Sequence, residues 1–122
     1  MNYSEKDIRA LHPHEQIFDM LALLKRFSAM YLSSVSVVAL GDFLSGYLST
    51  ASYPVKDQWD NLIDWLRKKK EFENEDFGMH GNGFYRIFMQ MSGSDSVQAL
   101  ELFFNYVEEY KREKNIVTGK IG

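Results

Sequence analysis

Cysteine is absent from this chain of 122 residues. That excludes disulfides, thiol chemistry and cysteine-ligated zinc, and it fits a reducing cytoplasm. Proline is scarce, at two residues, so little interrupts a helix. No apolar run is long enough to span a membrane, because Lys25, Arg26, Gly41 and Asp42 break the longest ones. The opening MNYSEKDIRALHPHEQ lacks the basic and apolar regions of a signal peptide. An excess of positive charge is missing as well. The balance is −3, which argues against direct nucleic-acid binding and suits a basic partner.

What is present is material for a core. Apolar residues make up 45% and aromatic residues 15%, enough to exclude global disorder and to support one self-sufficient domain over residues 1–122. No internal repeat and no low-complexity linker divides the chain. The periodicity predicts a single all-α domain of about five helices, with residues 1–12 and 113–122 as loosely ordered ends.

The first helix is expected from His14 to about Ser28, behind Pro13, with Ile17, Met20, Leu21, Leu24 and Phe27 at helical spacing. Ser4 to Ala10 offers a further short helix. AMYLSSVS then reads as a connection, and Ser36 as the N-cap of a second helix, Val37 to about Ala51. Its inward residues are Val37, Leu40, Phe43, Leu44, Tyr47 and Leu48. Pro54 opens a third helix, Val55 to about Lys70. EFENEDFGMHGNG reads as a loop. A fourth helix is expected over Phe84–Met91, with a short edge strand as the competing assignment. Gly93 suits a left-handed helix end, and Ser94 a cap for the fifth helix, Asp95 to about Arg112. That helix is expected to bury Val97, Leu100, Phe103, Phe104 and Val107.

Catalytic signatures are thin. His12 and His14 flank Pro13 without further ligands at metal-site spacing. The glycines of GMHGNGF match no phosphate-binding fingerprint, follow an acidic stretch, and read as a flexible turn. No GxSxG is present, and no carboxylate pair stands out as buried. RKKK, Arg67 to Lys70, is the only basic run. Its place at a helix end, where the dipole favours cations, explains it without a phosphate. The sequence therefore predicts no enzyme, no cofactor and no metal. A weaker enzymatic reading would pair His80 with Asp76 or Glu75 in a pocket at the glycine-rich loop.

The most informative stretch is KDQWDNLIDWL, Lys56 to Leu66. At about 100° per residue, Trp59, Leu62, Ile63 and Leu66 fall on one side of a helix. Asp57, Asp60, Asn61 and Asp64 fall on the opposite side. Trp65 lies between them, nearer the acids, and is expected to be half exposed. A large apolar anchor rimmed by carboxylates is the composition of a protein-binding hot spot. Glu71, Glu73, Glu75 and Asp76 follow within six residues and would extend the same field. These nine residues, from Asp57 to Asp76, are the candidate partner-binding surface.

Two stretches carry a resemblance. MYLSSVSVVALGDFLSGY, Met30 to Tyr47, has Met-Tyr-Leu, a polar link, a capping Ser and an apolar helix ending in Phe-Leu-x-Gly-Tyr. FYRIFMQMSGSDSVQALELFFNYVEEY, Phe84 to Tyr110, has an apolar segment, Ser-Gly-Ser-Asp and an acidic-aromatic helix. Both resemble helical immunity proteins encoded beside polymorphic toxins and contact-dependent growth-inhibition toxins. The resemblance covers about half the chain. Ser28, Ala29 and Ser33 stand where that family carries Pro, Gly and Gly. It implies that Tyr31, Phe43 and Phe104 are core residues and Gly46 a close-packing point. It also implies an all-α protein of the bacterial cytoplasm that binds and blocks the C-terminal domain of one cognate toxin.

A nuclease toxin, RNase or DNase, would offer the basic surface that an acidic inhibitor occupies. Neither nucleic acid nor membrane is then a direct partner. The alternative is a homo-oligomeric helical domain, a homodimer in the simplest case, with Trp65, Phe103, Tyr106 and Tyr110 packed across a two-fold axis.

Overall fold

A computed structural model describes residues 16–117. Over that range the chain forms six α-helices and no strand: α1 (Ile17–Arg26), α2 (Ser28–Tyr31), α3 (Val37–Thr50), α4 (Tyr53–Arg67), α5 (Phe84–Met91) and α6 (Ser96–Lys114). Two 3₁₀ turns, Lys70–Phe72 and Met79–Gly81, lie between α4 and α5. The suggested helix at Ser4–Ala10, the start of the first helix at His14, and His12 lie outside the described residues. Residues Phe84–Met91 form the expected helix with the predicted bounds, not the competing edge strand, and it buries Phe84, Ile87 and Phe88.

Helices α3, α5 and α6 contact one another pairwise, while α4 touches α6, α1 and the second 3₁₀ turn. The rings of Phe84 and Phe103 are centred 4.9 Å apart, with Trp59 edge-on to Phe84 at 5.3 Å and Phe88 edge-on to Phe103 at 5.5 Å. Offset and edge contacts of this kind add to the burial itself. Polar ties fix the helix starts. The Ile17 N–H donates to Gln58 Oε1 at 2.7 Å, joining α1 to α4. The Val37 N–H donates to Ser96 Oγ at 3.2 Å, joining the first turns of α3 and α6.

Several local expectations hold. Ser36 caps α3 by accepting from the Ala39 N–H at 3.2 Å. Pro54 sits in the first turn of α4, where its missing N–H leaves no bond unmade. Gly93 ends α5 at a φ of 65°. Others are corrected. The cap of α6 is Asp95, not Ser94: its carboxylate accepts from the Val97 and Gln98 N–H groups at 3.1 and 3.0 Å. Ser94 instead takes a left-handed conformation, φ 70°, and helps reverse the chain. Residues 29–31, read as connection, form one helical turn together with Ser28. Helix α6 continues through Glu113 to Lys114, and Asn115 ends it in the left-handed region.

The core differs from expectation at three places. Tyr31 is 46% exposed and Val97 53% exposed, because each lies beside a helix end with no element over it. Gly46 is exposed, and a Cβ there would meet nothing within 4 Å. The close approach is five residues earlier, at Gly41, where a Cβ would stand 3.1 Å from the Tyr85 ring. That contact lets α3 lie close against α5.

The segment 71–83 is not the flexible turn its composition suggests. Phe72 and Phe77 are buried, and their rings meet edge-on at 5.6 Å, with Phe72 reaching Phe88 at 5.7 Å. Each buried ring contributes about 2 kcal/mol, so the acidic loop is held at two points. Gly81 is buried with φ 74°, and a Cβ there would collide with the Ile63 side chain of α4. Only glycine allows both this backbone and this approach.

Candidate functional site: an acidic-rimmed groove beside α4

Helix α4 presents its apolar stripe inward as the spacing predicts: Val55, Trp59, Leu62, Ile63 and Leu66 are buried. Asp57, Asn61 and Asp64 are exposed and Asp60 is half-buried. Asn61 aside, the structure divides the predicted surface into three parts with different surroundings.

Asp57 and Asp60 border a half-open groove of 460 Å³ between α3, α4 and the turn at 79–82. Its apolar walls come from Leu44 and Leu48 of α3, Trp59 of α4 and Phe84 of α5. Tyr53 and Met79, 80% and 77% exposed, stand at its lips. Asp57 has no hydrogen-bond or ion-pair partner among the described residues. Asp60 Oδ1 lies 3.9 Å from Nδ1 of the exposed His80, which also lines the groove. Lys56 leans over the Tyr53 ring at 5.8 Å. The indole N–H of Trp59 donates to the His80 carbonyl at 2.7 Å, locking the turn onto α4.

Asp64 and Trp65 form the second part. Asp64 pairs with Arg67 at 3.3 Å, and Arg67 also donates to the Gly78 carbonyl at 3.0 Å. Trp65 is half-buried against α6. Its ring meets Tyr110 edge-on at 5.1 Å, Lys69 Nζ sits 4.4 Å above it, and its N–H donates to Glu113 at 3.1 Å. Lys69 in turn pairs with Glu109 at 2.9 Å. The basic run is thus partly spent inside the chain: Arg67 ties the loop, and Lys69 roofs Trp65.

The third part is the loop. Glu71 accepts from the Tyr106 hydroxyl at 2.8 Å. A backbone hydrogen bond at Glu71 itself, then this hydroxyl, hold its carboxyl below the ordinary value. Burial first, and the bond to Glu71 second, push the Tyr106 hydroxyl well above its ordinary value. Asp76 accepts from the Gly78 N–H at 2.8 Å, an Asx turn that shapes the backbone. Glu73 and Glu75 are exposed without a partner among the described residues.

For chemistry other than binding, the arrangement offers little that is assembled. The carboxylate nearest His80 is Asp60 rather than Asp76 or Glu75, and Asp76 is occupied by the backbone. Among the described residues no group of three His, Asp or Glu side chains could hold a metal ion. Phe103 and Tyr110, expected across a two-fold axis, are buried inside the chain. No described helix is long and apolar enough to cross a membrane.

Sequence reasoning found Asp57 and Asp60 but not the groove they border. Leu44, Leu48, Tyr53, Met79 and His80 come from three separate segments, and no linear pattern pairs them. The protein is thus an all-α domain with an acidic-rimmed apolar groove. No family model, curated protein or solved structure matches the chain.

Proposed function

We propose that this protein is a bacterial immunity protein. It binds the C-terminal domain of a cognate toxin, a basic RNase or DNase, in the cytoplasm and neutralises it by covering its active or substrate-binding surface. The observation that carries the reading is the pair Asp57 and Asp60 at the mouth of an apolar groove with Tyr53 and Met79 exposed on its lips. Exposed aromatic and Met side chains rimmed by carboxylates suit a basic protein surface: the charges steer encounter and the apolar groups slow dissociation. The motifs at Met30–Tyr47 and Phe84–Tyr110 support the same class. Inhibition here is occupation, and no catalytic step is assigned to the chain.

The test is co-expression with the product of the gene immediately upstream, scored by growth and by co-purification. Rescue with a stable complex is expected. Toxicity without rescue, or no toxicity, overturns the reading and moves a homo-oligomeric role to the front. Within a rescued pair, Asp57→Lys with Asp60→Lys slows association by about tenfold or more and flattens its salt dependence, as stopped-flow mixing would measure.

A further inference from the structure

We propose that the groove between α3, α4 and the 79–82 turn is a receptor for an arginine side chain carried on an apolar segment of a protein partner. The proposal rests on the immunity reading for the identity of that partner, but its geometry stands alone. Asp57 and Asp60 are one helical turn apart on α4 and both border the groove, so their carboxylates converge on one mouth. Among the described residues Asp57 is unpartnered and Asp60 meets only His80, at 3.9 Å, which is cationic only when protonated. Below them the walls are apolar: Leu48, Trp59 and Phe84. An aliphatic stem on such walls with a charged head at the mouth is the way a long basic side chain divides itself between apolar and polar surroundings. A planar guanidinium has five donors and can fork between two carboxylates, which an ammonium does less well.

Two further features choose a protein segment over a free organic cation. The groove holds 460 Å³, more room than one side chain fills. Tyr53 and Met79 also stand outside it, 80% and 77% exposed. A small cation inside would leave both lips in water, whereas a segment with apolar residues flanking its arginine covers them. Lys56 is the competing charge at the groove. It leans over Tyr53 at 5.8 Å, on a stem long enough to turn into solvent as the guest enters. Lys56→Ala therefore strengthens binding.

The experiment is titration of the full chain, followed by the NMR signal of the Trp59 indole N–H and the amides of 79–82. The probes are the blocked tripeptide Leu-Arg-Leu, its citrulline counterpart, and n-butylguanidinium. The expected result is saturable shifts with Leu-Arg-Leu, at least about tenfold weaker binding of the citrulline peptide, and a similar loss in Asp57→Asn with Asp60→Asn. Any of three results overturns the proposal: no shift with Leu-Arg-Leu, equal binding of the arginine and citrulline peptides, or n-butylguanidinium binding as tightly as the tripeptide. The last would mark a small-cation site. Failure of the two readings is distinguishable. Toxin rescue with affinity unchanged in the Asp57→Asn, Asp60→Asn variant removes the groove and keeps immunity. Arginine-dependent peptide binding without rescue keeps the groove and removes immunity.

Discussion

Gly81 shows how one residue can fix a surface feature. Its φ of 74° is costly for any L side chain, and its missing Cβ makes room for Ile63. Gly81→Ala is expected to destabilise the fold by about 2 kcal/mol or more, read from urea denaturation. Adding Ile63→Val relieves part of the collision but none of the backbone strain, so the double variant recovers only a fraction. Two of the three aromatic residues of α4, Trp65 and Tyr53, differ in what surrounds them. Trp65 is engaged by Tyr110, Lys69 and Glu113, so Trp65→Ala costs about 2 kcal/mol of stability. Tyr53 is 80% exposed, so Tyr53→Ala is expected to leave the urea midpoint nearly unchanged and to weaken the proposed binding of a toxin partner. Of the pair, the exposed ring is therefore the better candidate for an interface anchor. Linear pattern could not reveal this, because what covers Trp65 is a helix about 45 residues further on.

At the scale of elements, the cap of α3 and the stripe of α4 were legible because each lies within one segment. Ser36 accepts from the Ala39 N–H, and Ser36→Ala is expected to cost about 1 kcal/mol. Ser52 precedes α4 in the same way, yet its hydroxyl makes no cap bond and is buried without a partner among the described residues. Ser52→Ala should then be neutral or slightly stabilising, and thermal melts of the two variants provide the comparison. The spacing of Trp59, Leu62, Ile63 and Leu66 placed the buried face of α4 correctly. The segment 71–83 was misread for a physical reason. Its two anchors, Phe72 and Phe77, are five residues apart in irregular backbone, so no period marks them as buried. Composition there reports the exposed acids between the anchors and hides the rings beneath.

For the whole molecule, pH dependence reports how the loop is joined to α6. Neutral tyrosine is the form the fold favours at positions 106 and 110. Burial comes first at both. It is followed at Tyr106 by the bond to Glu71 and at Tyr110 by the charge of Glu113. The unfolded chain loses these protons at the ordinary value, while the folded chain retains them. Stability is thus complete below about pH 9 and declines as pH rises through 10 toward the folded values. On the acid side Glu71, held below its ordinary value, gives a contribution present near neutrality and lost as pH falls through its folded value. Exposure of Glu71 keeps that acid limb small. Tyr106→Phe removes the shared hydroxyl and should flatten both limbs at once. Urea midpoints across a pH series would measure this, and an unchanged alkaline slope would contradict it.

The hydrogen bond from Trp59 to residue 80 has a consequence for how this protein can diversify. The acceptor is the His80 carbonyl, so the turn is held by main chain, and the imidazole is free to change. Tyr53, Lys56, Asp57 and Met79 are similarly at the groove without belonging to the buried core. The frame and the lettering are therefore separate. Five positions can be rewritten to change what the groove accepts, with residue 80 limited to types that tolerate its φ of 56°. Meanwhile the rings of Trp59, Phe84 and Phe103 keep the same scaffold beneath every version.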